Sequence, residues 1–141
     1  MNHFTVDILT PSKVIAKDIP AESLLVPTTE GQINVLEGHT HIVSKLTTGS
    51  LEVFGGADDA DRFFTVSTGV CKVIGSKVTV LANTSEESVE IDVGRAQESL
   101  RNASERLQSS DLDADERQKF ERKVERAQLR ILLAKENVAR K

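Results

Sequence analysis

The strongest constraint on the fold is a change of pattern at Ile91-Asp92-Val93-Gly94-Arg95-Ala96. Before this stretch, apolar residues alternate with polar ones and turn residues recur at short intervals, the period-2 signature of half-buried strands. From Val93 onward there is no Pro, no Gly except Gly94, and the apolar residues recur three and four apart, as on one face of a helix. The chain therefore divides into a sheet-forming part, residues 1–90, and a helical part, residues 91–141.

In the first part Phe4, Val6 and Ile8 alternate with Thr5 and Asp7, and Pro11-Ser12 ends that run. A second extended run passes through Val14-Ile15-Ala16, and a third, Ser23 to Val26, is expected to stop at Pro27. Gln32 to Leu36, Leu51 to Phe54 and Arg62 to Ser67 read as further strands, the last two separated by the polar loop Gly55 to Asp61. The clearest hairpin is Val70 to Ile74 and Lys77 to Leu81, joined by Gly75-Ser76; a two-residue connection beginning with Gly predicts a type II′ turn. About eight to ten short strands with no helical spacing between them predict an antiparallel β-sandwich.

In the second part Val93, Ala96, Leu100, Ala103 and Leu107 form one narrow seam, and Phe120, Val124, Ala127, Ile131, Ala134 and Val138 form another. Ser109 to Leu112 breaks the pattern, and Asp113 with Glu116 three residues on makes a capping-box-like helix start. Two seams joined by a short loop predict an antiparallel helical hairpin. Folding it at the loop pairs residues whose numbers sum to about 223, which sets Ala96 against Ala127 and Val93 against Ile131. The second helix then outruns the first by about ten residues, roughly 15 Å. Leu132 and Leu133 on this overhang form, with Leu129, a second apolar face that needs a docking surface.

Charge follows the same division. The net charge of -4 combines 6 Lys/Arg against 12 Asp/Glu in residues 1–90 with 9 against 3 in residues 117–141. A basic tail points to an anionic contact, either a nucleotide or an acidic protein face. Nucleic acid is not the expected partner, because a chain with no Trp or Tyr is poorly supplied with stacking platforms. No apolar run approaches membrane-spanning length, no secretion signal is legible, and the single cysteine, Cys71, fits a reducing compartment.

The register places Arg126 and Arg130, one turn apart, beside Asp92 and Arg95 at the start of the first helix. Two readings stay open for this corner. It is a nucleotide site, in which the guanidiniums hold phosphates and Asp92 accepts from a base or ribose group. Alternatively, Asp92 caps the helix and pairs with Arg130 at the surface. Arg122, Arg126 and Arg130 form a ridge that reads as a solvated face or as a contact for an acidic partner. His39 and His41 are an incomplete metal pair, so no metal site is expected. No catalytic motif is present, and the chain is not expected to be an enzyme.

Glu30-Gly31-Gln32-Ile33-Asn34-Val35-Leu36-Glu37-Gly38-His39, with Leu46-Thr47-Thr48-Gly49, Thr65 to Val70, Val78 to Ala82 and Ile91-Asp92-x-x-Arg95-Ala96, resembles the epsilon subunit of the rotary proton-translocating ATP synthase. The resemblance spans essentially the whole chain. It implies a non-catalytic central-stalk subunit at the cytoplasmic face of the bacterial inner membrane, peripheral and without membrane insertion. Its sandwich (1–90) would bind the gamma subunit and the c-ring, with Gly38 and His39 among the contacts. Its hairpin (91–141) would reach the alpha and beta subunits through Arg122, Arg126 and Arg130 and restrain ATP hydrolysis. Some family members bind regulatory ATP through an Ile-Asp-x-x-Arg-Ala motif and two arginines, here Ile91, Asp92, Arg95, Ala96, Arg126 and Arg130. Asn102 stands where the family has a further arginine, and Thr68 and Lys72 replace a usual glycine and acidic residue. A free regulatory nucleotide-binding module is the alternative that the Asp92, Arg126 and Arg130 corner suggests.

Overall fold

A computed structural model of the chain describes residues 4–36 and 41–139. They form two compact units, divided between Glu87 and Ser88.

The first unit holds ten strands: β1 Phe4–Leu9, β2 Val14–Ala21, β3 Ser23–Thr28, β4 Gly31–Leu36, β5 Ile42–Leu46, β6 Gly49–Phe54, β7 Arg62–Val66, β8 Gly69–Ile74, β9 Lys77–Ala82 and β10 Ser85–Glu87. Their order is β10-β7-β6-β3-β5-β8-β9-β1-β2, with β4 paired to β3 alone. Strands β10 and β2, at the two ends of this order, approach each other, so the sheet folds round one core as the expected sandwich. Every pair is antiparallel except β1 with β9. The inward side chains at alternate positions fill that core, among them Val6, Ile8, Leu24, Leu51, Phe64, Val73 and Val80.

Three departures from the expected strands have physical causes. Strands β5 and β10 lack a marked apolar alternation and are held by their neighbours β8 and β7. Strand β2 runs on through Pro20 because it lies at the end of the strand order, where a missing N–H leaves no second partner unpaired. Strand β3 likewise continues through Pro27, whose carbonyl accepts from the Thr47 amide at 3.1 Å. The Gly75-Ser76 turn is as expected: Gly75 has φ +59° and Ser76 does not share a positive φ, the pattern of type II′.

The β1–β2 pairing carries a bulge, where Lys17 and Asp18 together oppose Asp7. Asp18 sits at φ +53°, a conformation that a short polar side chain tolerates. Its amide donates to Asp7 Oδ1 at 2.7 Å, and Lys77 Nζ reaches both carboxylates, at 2.9 and 2.5 Å. Burial by itself raises the Asp7 carboxyl, but the Asp18 amide and the Lys77 ammonium outweigh it and hold Asp7 below the usual carboxylate range. A lowered folded-state value means that this contribution is present above the unfolded value of about 3.9 and is lost as pH falls through the folded one. Asp7→Asn should therefore cost about 1 kcal/mol at neutral pH. In urea titrations at a series of pH values, the gap from wild type should close in acid.

Burial in the core pushes the Cys71 thiol up to about 11. The native thiol should react with a disulfide reagent at least about a hundredfold more slowly than the unfolded one, from the loss of thiolate alone. Stopped-flow absorbance with and without denaturant measures this; equal rates would place Cys71 at the surface.

The second unit begins with a 3-10 turn, Ser88–Glu90, followed by α1 Val93–Leu107 and α2 Ala114–Ala139. Asp113 starts α2 as expected, its Oδ1 accepting the Glu116 amide at 2.8 Å. The helices pack on each other with Ala96, Ala103, Ala127 and Ala134 buried, so small residues allow a close approach. Two contacts fix the register. Arg117 Nη1 donates to the Leu107 carbonyl at 3.3 Å, and the Arg106 guanidinium lies 5.8 Å from the centre of the Phe120 ring. Both pairs lie within a few residues of the anticipated sum. With 26 residues against 15, α2 outruns α1 by about 16 Å. The 3-10 turn also packs on α2. The three leucines of the expected second apolar face part ways: Leu133 is buried, Leu129 half-buried and Leu132 exposed.

Candidate functional site

The corner at Ile91 to Ala96 is built by helix capping. The Ile91 amide closes the 3-10 turn on Ser88 O, and Asp92 then adopts extended backbone, φ -84° and ψ 101°, as the N-cap of α1. Its Oδ1 accepts the Arg95 amide at 3.1 Å, while its carbonyl accepts the Ala96 amide at 3.0 Å. Asp92 thus satisfies one of the unpaired amides at this helix start and sets a negative charge against the positive end of the helix dipole. Ala96 is fully buried, Ile91 half-buried, and Asp92 and Arg95 exposed.

Arg126 and Arg130 are half-buried, four residues apart on α2, and the register carries them level with Gln97 and Val93 in the first turns of α1. Arg122 is exposed one turn earlier, and Asn102 is exposed on α1. The arrangement offers two cations to an anion and one carboxylate to a hydrogen-bond donor. With Asp92 holding the cap, a phosphate would meet the arginines in preference to the helix end. Gly38 and His39 lie outside the described residues, as does His3; His41 is exposed.

A second surface escaped the sequence reading. Strands β5, β8 and β9 carry apolar side chains on their outward face as well, at Val43, Val70, Ile74 and Leu81. Cross-strand register lines up Lys45, Val70, Leu81, Leu9 and Val14 in one row across β5, β8, β9, β1 and β2. Val43 and Ile74 flank that row on the same face. Val43 is 70% exposed, Val14 58% and Leu81 47%. The signal was available in Val70-Cys71-Lys72-Val73-Ile74, where apolar residues fall at both parities and cannot all point inward. Among the described residues no helix is long and apolar enough to cross a membrane.

A ten-stranded sandwich followed by a helical hairpin with a capped, arginine-flanked junction defines a recognisable class. Residues 3–88 match the family described as ATP synthase, Delta/Epsilon chain, beta-sandwich domain. The ATP synthase epsilon chain of Koribacter versatilis is 36% identical over 107 residues, 76% of this chain and 73% of that one. Those of Staphylococcus aureus (strain JH9) and Macrococcus caseolyticus are 34% and 32% identical over 95% and 96% of this chain, and in each case over 98% of the relative. The chain belongs to the family of bacterial ATP synthase epsilon chains. The fold recurs in a chain of the Euglena gracilis mitochondrial ATP synthase, with TM-score 0.75, 24% identity, and coverage of 91% of this chain and 79% of that one. It recurs again in the central stalk/c-ring structure of the Tetrahymena thermophila enzyme, with TM-score 0.61, 12% identity, and coverage of 92% and 95%.

Proposed function

We propose that the chain is a non-catalytic subunit of the central stalk of a rotary proton-translocating ATP synthase, working at the cytoplasmic face of the bacterial inner membrane. In this reading the sandwich binds the gamma subunit and the c-ring and helps couple proton flow to rotation. The hairpin reaches the alpha and beta subunits and restrains ATP hydrolysis. The observation that carries the proposal is the near end-to-end match to epsilon chains, which takes in the hairpin as well as the sandwich. The arginine ridge on α2 suits contact with an acidic subunit face, and the outward apolar face of the sheet suits a permanent protein contact.

Tagged full-length chain should co-purify with the other stalk and catalytic subunits. Recovery of the chain alone would overturn the assignment. Deleting residues 110–141 should raise ATP hydrolysis by the assembled enzyme while assembly persists, and unchanged hydrolysis would remove the restraining role.

A second reading is supported by Asp92, Arg126 and Arg130. Regulatory ATP binds at this corner, favours one hairpin position, and shifts the balance by its differential affinity alone. The chain has Asn102 where a further arginine would add a phosphate contact, so weak binding is expected. Titration calorimetry of ATP into the full chain, with Arg126→Ala and Arg130→Ala controls, tests it; heat that survives both substitutions would place the nucleotide elsewhere. Micromolar binding with no assembly into a complex would instead favour a free nucleotide-binding module.

A further inference from the structure

Sheet passes into helical unit without a linker. Strand β10 ends at Glu87 and the 3-10 turn begins at Ser88, so a single peptide bond joins the last strand to the first turn of the second unit. The helical side of this bond is well held: Ser88 is buried, its carbonyl accepts the Ile91 amide at 3.4 Å, and the turn packs on α2. Any load applied to the hairpin therefore reaches β10.

By itself β10 is a weak root. It has three residues, lies at the end of the strand order, and forms one ladder, pairing Ser85 with Val66, Glu86 with Thr65 and Glu87 with Phe64. So short a terminal strand frays readily, because few backbone bonds oppose the entropy of release. The chain just before it is fixed separately: the Thr84 amide and hydroxyl donate to Ser67 Oγ at 2.7 and 2.9 Å, and the Ser67 amide donates to the Thr84 carbonyl at 3.1 Å. Fraying is thus confined to residues 85–87.

One side-chain pair bolts this strand down. Arg62 Nε and Nη2 donate to the two oxygens of the Glu87 carboxylate, each at 2.8 Å, the fork geometry in which such a pair is strongest and most directional. The Glu87 side chain is only 14% exposed, so solvent and salt screen the pair little. Arg62 is itself well placed, since its backbone pairs with Val53 in β6 and its guanidinium lies 5.5 Å from the centre of the Phe64 ring. The last residue of the sheet unit is tied in this way to a strand that has neighbours on both sides.

We propose that the Arg62–Glu87 pair is the fastening by which the sandwich carries the root of the hairpin, and that the hairpin's restraint of ATP hydrolysis is transmitted through it. The proposal rests on the reading that the hairpin restrains hydrolysis, and adds the route. With the pair made, the hairpin hangs on a strand that belongs to the sheet. With it broken, residues 85–87 come free and add up to about 10 Å of slack chain. An element on a slack tether meets its contact at a lower effective concentration, so the restraint weakens.

Glu87→Gln keeps the shape of the side chain and removes its charge. In the full-length chain, hydrogen exchange read by mass spectrometry should show the amides of residues 85–87 exchanging at least about tenfold faster than in wild type, with β8 and β9 unchanged. Arg62→Lys, which cannot form the fork, should fall between the two. In the assembled enzyme Glu87→Gln should raise ATP hydrolysis at least about twofold, toward the rate of enzyme whose chain ends at residue 109. In that truncated enzyme, which lacks α2, the substitution should have no effect. A disulfide between Val66→Cys and Ser85→Cys, at directly paired positions, should restore both protection and restraint to the Glu87→Gln chain. Equal exchange at residues 85–87 in wild type and Glu87→Gln would overturn the proposal. Faster exchange with unchanged hydrolysis would overturn it as well, as would an equal rise in the truncated enzyme. Truncation that leaves hydrolysis unchanged would overturn the restraining role itself, and the exchange result on the free chain tells that failure from the others.

Discussion

Phe64→Ala should lower the unfolding free energy by about 3–5 kcal/mol, the cost of deleting a fully enclosed aromatic side chain. Phe64 is the largest fully buried residue of the sandwich, and it stands on β7 between β6 and β10. Its backbone pairs with Leu51 on one side and Glu87 on the other, so the space left by the ring is walled by three strands that cannot collapse independently. The Arg62 guanidinium lies 5.5 Å from the ring centre and would lose that contact as well. Urea denaturation followed by far-ultraviolet circular dichroism reads the change as a fall in midpoint at constant slope. A loss below about 1 kcal/mol would mean that the core refills the space, contrary to the packing described.

Gly69→Ala should be nearly as damaging, by about 3 kcal/mol, at the upper end of what overpacking costs. The reason is space. A Cβ at Gly69 would fall 1.9 Å from the Leu81 carbonyl oxygen and 2.9 Å from Ala82 Cα. Both are backbone atoms of β9, and Gly69 pairs directly with Ala82, so relief requires opening the β8–β9 ladder. The neighbouring Thr68 is exposed, and Thr68→Ala should be close to neutral. Gly75 provides the contrast: nothing lies within 4 Å of a Cβ there, and its substitution should cost only the strain of a positive φ, about 1 kcal/mol. Thermal unfolding of the three variants should rank Gly69→Ala well below Gly75→Ala, with Thr68→Ala near wild type. Equal melting temperatures would show that β8 shifts freely against β9.

The family pattern that includes Thr68 and Gly69 acquires a physical meaning from this difference. Thr68 is exposed and tolerates a side chain, whereas a Cβ at Gly69 would run into the Leu81 carbonyl. Lys72 is likewise exposed on the outer face of β8, so its departure alters the surface without disturbing the sheet.

Much of the fold was legible because local physics wrote it directly into the chain. Alternation identified the inward residues of β1, the Gly75-Ser76 pair identified its turn, and Asp92 and Asp113 identified two helix starts. The seams of α1 and α2 even conveyed their register, since an antiparallel hairpin with a short loop has little freedom to slide. The strands β5 and β10 were not legible, because their pairing comes from neighbours distant in sequence and leaves no periodic trace. The same holds for the candidate corner. Its residues could be named from spacing, but capping by Asp92 and the burial of Ala96 depend on how the chain turns from the 3-10 segment into α1.

The sequence by itself determined the two-part construction and the helical seams, because each rests on contacts within a few turns of chain, and it named Asp92, Arg126 and Arg130 as candidates for one corner. Only the tertiary structure decided that β1 runs parallel to β9 and that Val70, Leu81, Leu9 and Val14 line up in one outward row with Lys45 and Lys72 beside it. Period-2 alternation says which face of a strand a residue occupies and never which strand lies alongside. That choice belongs to pairings between residues up to about seventy positions apart, which no local pattern encodes.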